Sequence, residues 1–199
     1  YVWSGAPPNT QYEPDYRDAF GIPFDQFGRM LLGKAASVQE GIGILENNPR
    51  AIHGNFLLAD SLGEIAIIEV STQSMHVETS TSDGWIARSN HWVSEEMGYK
   101  GRSSGDQSSS GVRLARATEL MENGAGRIDV AYLSELYRDH ETLSDTGWSI
   151  CAHGHTKSGD GERSGTVSSE ILEPTTRTFN YCYGWPCGGK PEYDKEQQY

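Results

Sequence analysis

Several features that would assign a protein to a well-defined class are missing from this sequence of 199 residues. No apolar run approaches the roughly 18 residues of a membrane-spanning helix, so no membrane span is predicted. Basic residues are outnumbered by acidic ones, and the net charge of −12 argues against nucleic acid or an anionic membrane surface as the partner. Three cysteines are too few for a disulfide scaffold, and the absence of an Asn-x-Ser/Thr sequon leaves the localisation unknown.

Signatures of common catalytic and cofactor sites are missing as well. The sequence has no Gly-x-Ser-x-Gly elbow, and no sequence context marks one cysteine as reactive. The glycines at 41 and 43 interrupt a predicted helix, whereas phosphate-binding glycines follow a strand and open a helix. We therefore expect no nucleotide site, and no cofactor is predicted.

The start of the chain indicates processing. It begins at Tyr1, with neither an initiator Met nor a signal-peptide pattern, which predicts a processed product or a fragment of a longer protein. Residues 1–23 are rich in Pro, Gly, Tyr and Asn without periodicity and are predicted to form an extended arm. We expect residues 24–187 to belong to a single domain and residues 188–199 to form a polar tail.

The densest group of strand signals lies between Gly54 and Trp92. Short apolar runs separated by turn residues predict an antiparallel meander that ends in Ser89-Asn90-His91-Trp92, where polar groups stand beside large aromatic rings. Side chains at a strand tip are held rigidly by the sheet, so this tip is a candidate site. The predicted strands are Phe56–Leu58, Ile65–Val70, Met75–Glu78 and Trp85–Arg88.

Helices are predicted on both sides of this meander. Phe24, Phe27 and Leu31 recur at helical spacing, and Ser37 with Glu40 forms a capping box for a second helix. Further helices are predicted from about Ser110 to Asn123 and after Asp129, and further strands at Trp148–Ala152, Thr166–Leu172 and Thr178–Tyr183. The Gly/Ser-rich stretch 93–109 is predicted to be a connector, with a lid as the less favoured alternative. This order of elements indicates an α+β fold.

Three alternating residues are candidate metal ligands, namely Cys151, His153 and His155. On a strand all three side chains would point to one face, and Asp139-His140 lies a short distance upstream. Ligands at this spacing on a strand are unusual, and Gly154 would weaken the strand. Polar residues near a turn are the better interpretation, so no metal site is predicted.

Short motifs spread over residues 24–187 occur in a recognisable order. They are Ser37-Val38-Gln39-Glu40-Gly41, Leu58-Ala59-Asp60, Gly63-Glu64, Ile68-Glu69-Val70-Ser71, Ser89-Asn90-His91-Trp92, Asp139-His140, Ile150-Cys151-Ala152-His153, Gly165-Thr166-Val167 and Gly184-Trp185-Pro186-Cys187. As an ordered set they resemble the acyl-CoA:isopenicillin N acyltransferase-like family of the N-terminal-nucleophile hydrolase superfamily.

The resemblance implies a four-layer αββα sandwich of antiparallel sheets and an enzyme that hydrolyses or transfers an amide-linked acyl group. In such enzymes self-cleavage exposes a chain-terminal Cys as the nucleophile, and its own α-amino group is the base. A free α-amine has a pKa of about 7.7–8.0, so it can accept the thiol proton near neutral pH. The implied substrate is a small-molecule amide or acyl donor, and its identity stays open, as does hydrolysis versus transfer.

Two residues match functional positions of the family. Asn90 matches the Asn whose side-chain amide helps to form the oxyanion hole, and Arg163 is similar to an Arg that would bind an anionic group of the substrate. The nucleophile itself has no match, because Tyr1 is a poor nucleophile and Cys151 has no free α-amine. The resemblance therefore implies the C-terminal portion of the enzyme, completed by a companion chain or N-terminal segment that carries the nucleophile.

Two alternatives stay open at this point. One is a catalytically silent member of the family with a structural or binding role in a larger assembly, held there through the aromatic arm at 1–23. The other is an unrelated α+β hydrolase built on Cys151 with His153 or His140.

Overall fold

The chain is divided into two structural units, Tyr1–Gly111 and Val112–Tyr199. The computed structural model describes residues 2–79, 84–101, 108–141, 148–153, 155–156 and 163–188, and at positions 3, 155, 156, 163 and 164 it describes the backbone alone. The strands pair in antiparallel ladders and are accompanied by helices, which confirms the α+β class. Within the described residues, no helix combines the length and the apolar composition needed to cross a lipid bilayer.

The first unit contains a four-stranded sheet in the order β1-β2-β3-β4. Its strands are β1 (Val2–Gly5), β2 (Gly54–Ala59), β3 (Ile65–Val70) and β4 (Met75–Thr79). The predicted strands at 56–58, 65–70 and 75–78 are confirmed, with the expected turn at Asp60–Gly63. β1 was not predicted, because four residues without alternation give little signal until the partner strand β2 is known.

One face of this sheet packs on two helices, α1 (Phe24–Lys34) and α2 (Val38–Glu46). The predicted capping box begins α2, since Ser37 Oγ accepts from Glu40 N at 3.2 Å and Glu40 Oε2 accepts from Ala36 N at 2.7 Å. Gly41 allows α2 to approach the sheet closely, because a Cβ there would lie 2.7 Å from Leu58 Cδ1. The shared core comprises Phe27, Leu31, Val38, Ile42, Leu45, Ile52, Phe56, Leu58, Ala66, Ile68 and Val70.

The predicted strand at Trp85–Arg88 is wrong. This segment forms no ladder, and the residues that follow it run across the second face of the sheet, bound by side chains of the strands. Residues 98–100 then form a 3-10 helix, while part of the predicted connector, residues 102–107, lies outside the described residues.

The second unit consists of helices and two hairpins. α3 (Ser109–Asn123) starts in the first unit and continues into the second, and α4 (Val130–Tyr137) is capped by Asp129, whose carboxylate accepts from Tyr132 N at 2.7 Å. β5 (His155–Thr156) pairs with β6 (Arg163–Ser164), and β7 (Ser168–Glu173) pairs with β8 (Thr178–Tyr183). Both predicted helices are confirmed, and the turn between β7 and β8 occupies residues 174–177.

The predicted strand at Trp148–Ala152 is also wrong. Its backbone groups bind single residues of other segments: Cys151 N donates to Asp139 O at 2.9 Å, and Thr166 N donates to Ala152 O at 2.6 Å. Among the described residues no continuous partner strand lies beside it, so the segment is irregular.

Candidate functional site

A row of four polar residues crosses the sheet of the first unit, one from each strand. The register places Ser4 opposite Asn55, Asn55 opposite Glu69, and Glu69 opposite His76. Cross-strand partners project to the same face of a sheet. These four side chains therefore share the face opposite α1 and α2, and we call them the polar row.

Glu69, at the centre of the polar row, anchors the start and end of the segment 88–94. Its side chain is fully buried. Arg88 Nε and Val93 N donate to Glu69 Oε1 at 3.0 and 2.8 Å. Ser94 donates to Oε2 from its backbone N at 3.1 Å and its Oγ at 2.6 Å. A buried carboxylate needs this many donors to offset its desolvation, so the contacts fix this backbone in place.

Asn55 and Ser4 bind the middle of the same segment. The amide Nδ2 of Asn55 donates to the carbonyl oxygens of Ser89 at 2.9 Å and His91 at 3.1 Å. Ser4 Oγ donates to the Ser89 carbonyl at 2.8 Å. The backbone on both sides of Asn90 is thus held by the sheet, as expected for a site that must present one side chain accurately.

Ser110, in the first turn of α3, binds this segment from the other side. Its hydroxyl accepts from Asn90 N at 2.7 Å and lies 2.8 Å from His91 Nδ1 and 2.9 Å from Ser89 Oγ. The hydroxyl of Ser89 also donates to the Ser110 carbonyl at 2.8 Å. The three hydroxyl and imidazole groups form one connected network that fixes the backbone of Asn90.

Asn90 itself is exposed, unlike its neighbours Ser89 and Trp92. Its Nδ2 donates to the carbonyl of Gly5 at 3.2 Å, at the end of β1. Trp92 is buried, and its Nε1 donates to Gly54 O at 3.0 Å. The motif therefore buries its aromatic end as an anchor and presents the Asn90 amide at the surface of the first unit.

A cavity of about 750 Å³ lies next to this position and shares Gly5 with it. Its wall is formed by residues of the segment 5–25 and by Ala51, Ile52 and His53. The sequence did not predict this cavity, because its wall comes from a segment without periodicity. Concave, largely apolar spaces of this size are typical of small-molecule sites.

His53 gives this cavity an unusual polar group. His53 is only 5% exposed, and among the described residues its ring approaches the backbone of Pro14 without forming a hydrogen bond of good geometry. The ring stands edge-on to the rings of Tyr16 and Trp92, with centroids 5.5 and 5.9 Å away. Burial lowers the pKa of His53 below its ordinary value, so the imidazole is neutral at neutral pH.

Two of the three charged groups of the cavity wall, Asp15 and Arg17, pair with each other, and the third, Asp25, is exposed. Arg17 donates to Asp15 from Nε at 2.9 Å and from NH2 at 2.5 Å. This pairing holds the pKa of the Asp15 carboxyl well below its usual range and raises the pKa of Arg17. The wall therefore combines a neutral imidazole with an internally balanced ion pair, which suits an uncharged group better than a strongly ionic one.

The cysteines differ in their surroundings. Cys151 is fully buried, and burial raises the pKa of its thiol to about 11. A thiol of this kind is protonated at neutral pH and is a poor nucleophile, which argues against a hydrolase built on Cys151. Cys182 is exposed on β8, and Cys187 is half-buried with its Sγ 3.5 Å from His153 Nε2.

The two predicted site residues have different outcomes. Asn90 is positioned as described above, while Arg163 belongs to β6 and its side chain lies outside the described residues. The partners that fix Asn90, namely Ser4, Asn55, Glu69 and Ser110, were not predicted. A polar residue inside each of two apolar runs, at Asn55 and Glu69, was the signal that could have identified two of them.

A protein-family model described as acyl-coenzyme A:6-aminopenicillanic acid acyl-transferase matches residues 14–187. No curated protein shows a significant match to the chain. The family match covers most of the sequence, so the chain belongs to this family, and the resemblance noted from its motifs is confirmed. Membership supports a general acyltransferase or hydrolase role.

Proposed function

We propose that this member of the family forms part of an amide hydrolase or acyltransferase in which Asn90 stabilises the oxyanion of the tetrahedral intermediate that leads to an acyl-enzyme. The acyl-enzyme would form on an N-terminal cysteine that this sequence does not carry. The observation that carries the proposal is the presentation of Asn90: an exposed amide on a backbone that Asn55, Ser110 and Glu69 hold from two sides.

The position of the nucleophile follows from the chemistry. The three cysteines of the sequence are internal, so none has a free α-amine to act as its base. Cys151 is also buried. We therefore place the nucleophile on a companion chain or N-terminal segment, produced by autoproteolytic processing, that would assemble with this chain.

The reaction has two stages. The α-amine of the terminal cysteine accepts the thiol proton, and the thiolate attacks the amide carbonyl of the substrate. In the proposed mechanism the side-chain amide of Asn90, which is a hydrogen-bond donor, turns to the oxyanion of the tetrahedral intermediate. The C–N bond then breaks, and the leaving amine takes the proton. The thioester is finally cleaved by water or by an acceptor amine.

The cavity beside Gly5 would hold the acyl group. Its neutral His53 and the balanced Asp15–Arg17 pair favour an uncharged acyl chain, for which the volume of about 750 Å³ is sufficient. Arg163 would bind an anionic group elsewhere on a small-molecule substrate.

The four-layer αββα sandwich is part of the same proposal, with residues 24–187 as the C-terminal part of the domain. An apolar surface on the β7–β8 hairpin supports it, because a sheet in such a sandwich needs cover on both faces. The exposed large residues of this hairpin are Leu172, Phe179, Tyr181 and Tyr183.

The first experiment identifies the polypeptides that co-purify with the chain. Mass spectrometry should find a companion polypeptide or segment that begins with Cys, and iodoacetamide should abolish amidase activity by alkylating it. A chain that is active alone would contradict the proposal, and a complex without turnover would favour the catalytically silent alternative.

The second experiment tests Asn90. In the assembled protein Asn90→Ala should lower kcat by about a hundredfold or more, because one oxyanion donor is lost. Asn47→Ala, at an exposed asparagine that ends α2, is the matched control and should leave kcat unchanged. Equal turnover in both variants, with unchanged circular dichroism, would remove Asn90 from the mechanism.

A further inference from the structure

Four potential metal ligands meet in the second unit. His140 follows α4, Cys151 and His153 belong to the irregular segment 148–153, and Cys187 follows β8. One ligand atom from each residue can be chosen so that all four lie within 4.8 Å of one another. The cluster lies outside the unit that carries Asn90, so it is independent of the function proposed above.

The distances suit a single small cation. His140 Nε2 and His153 Nε2 are 2.8 Å apart, and Cys187 Sγ is 3.5 Å from His153 Nε2. Zinc bonds of about 2.3 Å to sulfur and about 2.0 Å to nitrogen hold tetrahedral donors roughly 3.3–3.8 Å apart. The Cys187–His153 separation falls in this range, and the two imidazole nitrogens would move apart by about 0.5 Å to enter it.

Backbone contacts tie the ligand-bearing segments together. Cys151 N donates to the carbonyl of Asp139, the residue before His140, at 2.9 Å. Arg138 Nε donates to the carbonyl of Pro186, the residue before Cys187, at 2.9 Å. These two bonds fix the spacing of the segments before any ion binds, which lowers the cost of ordering a site.

The side chains beside the ligands are also held. Trp185 stacks on the His153 ring, with centroids 4.2 Å apart and planes 16° from parallel. Arg116 donates to both carboxylate oxygens of Asp139, at 2.7 and 3.1 Å. Asp139 is therefore committed to this ion pair, and the donor set is two sulfurs and two nitrogens.

The described part of the second unit has a small apolar core. Its buried apolar residues, among those that the structure describes, are Val112, Cys151 and Ile171, whereas the first unit has the large core on α1 and α2. Small domains with weak cores commonly depend on a metal ion or disulfides. A metal ion at this cluster would join three segments that the apolar contacts leave weakly connected.

We propose that His140, Cys151, His153 and Cys187 bind one zinc ion in a closed tetrahedral site that stabilises the second unit. Two thiolates with two imidazoles are the donor set typical of structural zinc. Both thiols would bind as thiolates, and their protons pass to solvent. The sequence-based prediction of no metal site rested on Cys151, His153 and His155 lying on one strand. In the structure the four ligands come from segments that are distant in sequence.

The first test is a metal titration of the full chain. After treatment with a chelator and a reductant, the protein is titrated with Co²⁺ and then with Zn²⁺. One equivalent of Co²⁺ should give the intense d–d absorption of a tetrahedral thiolate site, and one equivalent of Zn²⁺ should abolish it. Absence of stoichiometric binding, or a weak octahedral spectrum, overturns the proposal.

The second test uses thiol variants. Cys187→Ser should lower the zinc affinity at least tenfold, while Cys182→Ser, at an exposed thiol on β8, is the matched control and should not. Equal affinity in both variants overturns the proposal.

A third measurement needs no variant. Zinc should protect Cys187 of the wild-type chain from iodoacetamide and leave Cys182 reactive, as mapped by peptide mass spectrometry. Equal alkylation of Cys187 with and without zinc contradicts the site. A Cys151–Cys187 crosslinked peptide in protein isolated without reductant overturns it in favour of a disulfide.

Discussion

Glu69 is a buried carboxylate whose hydrogen-bond donors come from the segment that carries Asn90. In Glu69→Gln the charge is lost, and the side-chain amide turns donors toward Val93 N and Ser94 N, which are donors themselves. Arg88, whose side chain is 10% exposed, then has less negative charge nearby to offset the desolvation of its guanidinium. We expect the free energy of unfolding to fall by about 3 kcal/mol, measured by urea denaturation.

The matched control is Glu78→Gln, which removes the more exposed of the two carboxylates that pair with Arg88. Its side chain is 35% exposed, so solvent screens the pair, and the loss should be about 1 kcal/mol or less. Comparable losses in the two variants would show that Glu69 does not anchor the segment.

His53 should make stability depend on pH. Burial lowers the pKa of the folded imidazole, while the unfolded one keeps a pKa of 6.5. Below pH 6.5 the unfolded chain therefore binds a proton that the folded chain excludes. The contribution of the neutral His53 to the free energy of unfolding is complete above pH 6.5, and it is lost as the pH falls toward the pKa of the folded state.

His53→Phe keeps a ring between Tyr16 and Trp92 and removes this titration. The variant should show a shallower fall in the unfolding free energy below pH 6.5, and the same slope as wild type above pH 7, in urea titrations at several pH values. Identical slopes below pH 6.5 would contradict the assignment of a buried neutral imidazole.

At the scale of the secondary-structure elements, the connection before α1 contains Gly21, where close backbone packing leaves no room for a side chain. A Cβ at Gly21 would lie 2.5 Å from the carbonyl carbon of Arg50, beside the bridge between Ile22 and Arg50. Since backbone cannot give way as a flexible side chain does, Gly21→Ala should destabilise the protein by about 1–3 kcal/mol. The measurement is the thermal midpoint by circular dichroism.

Gly33, in the last turn of α1, is the matched control. Apart from the neighbouring residues and the backbone of its own helix, no atom of the described residues lies within 4 Å of a Cβ placed there. Alanine favours a helix over glycine, so Gly33→Ala should stabilise the protein by about 0.5–1 kcal/mol. If Gly33→Ala also lost stability, the destabilisation of Gly21→Ala could not be attributed to the contact with Arg50, because alanine would destabilise the protein at both positions.

Elements with local signals could be predicted from the sequence. The caps at Ser37 and Asp129 act within one turn, so α2 and α4 began where the sequence indicated. Trp85–Arg88 and Trp148–Ala152 have strand-like composition, yet a strand needs a continuous partner that composition does not reveal. The residues after 85–88 are bound by side chains of the sheet, and the backbone of Ala152 bonds to the single residue Thr166 within the described part of the chain.

The same reason separates the predicted and unpredicted parts of the site. Asn90 lies within a recognisable motif, so the sequence could nominate it as a candidate site residue. Ser110 and His53 join its surroundings only through tertiary folding, because neither belongs to a motif around Asn90. The α+β class is likewise confirmed, whereas the four-layer sandwich remains a proposal.

At the scale of the whole molecule, the two units should differ in local stability. β2 and β3 lie in the large core of the first unit, while the described part of the second unit buries few apolar residues. Amide hydrogens of β2 and β3 should exchange at least tenfold more slowly than those of β7 and β8 in metal-free protein.

Hydrogen exchange with mass spectrometry measures this difference peptide by peptide. Zinc should slow exchange around residues 138–153 and 184–188 and leave β2 and β3 unchanged. Uniform protection across both units in metal-free protein would contradict the expected difference in stability.

The polar row also orders events during folding. β2, β3 and β4 are neighbours along the chain and can pair early, whereas β1 and the segment 88–94 must each close a long loop to reach them. Asn55 and Glu69 would remain hydrated until that late step. We expect their desolvation to follow the rate-limiting barrier, so damage to the row should shorten the lifetime of the native state more than it slows its formation.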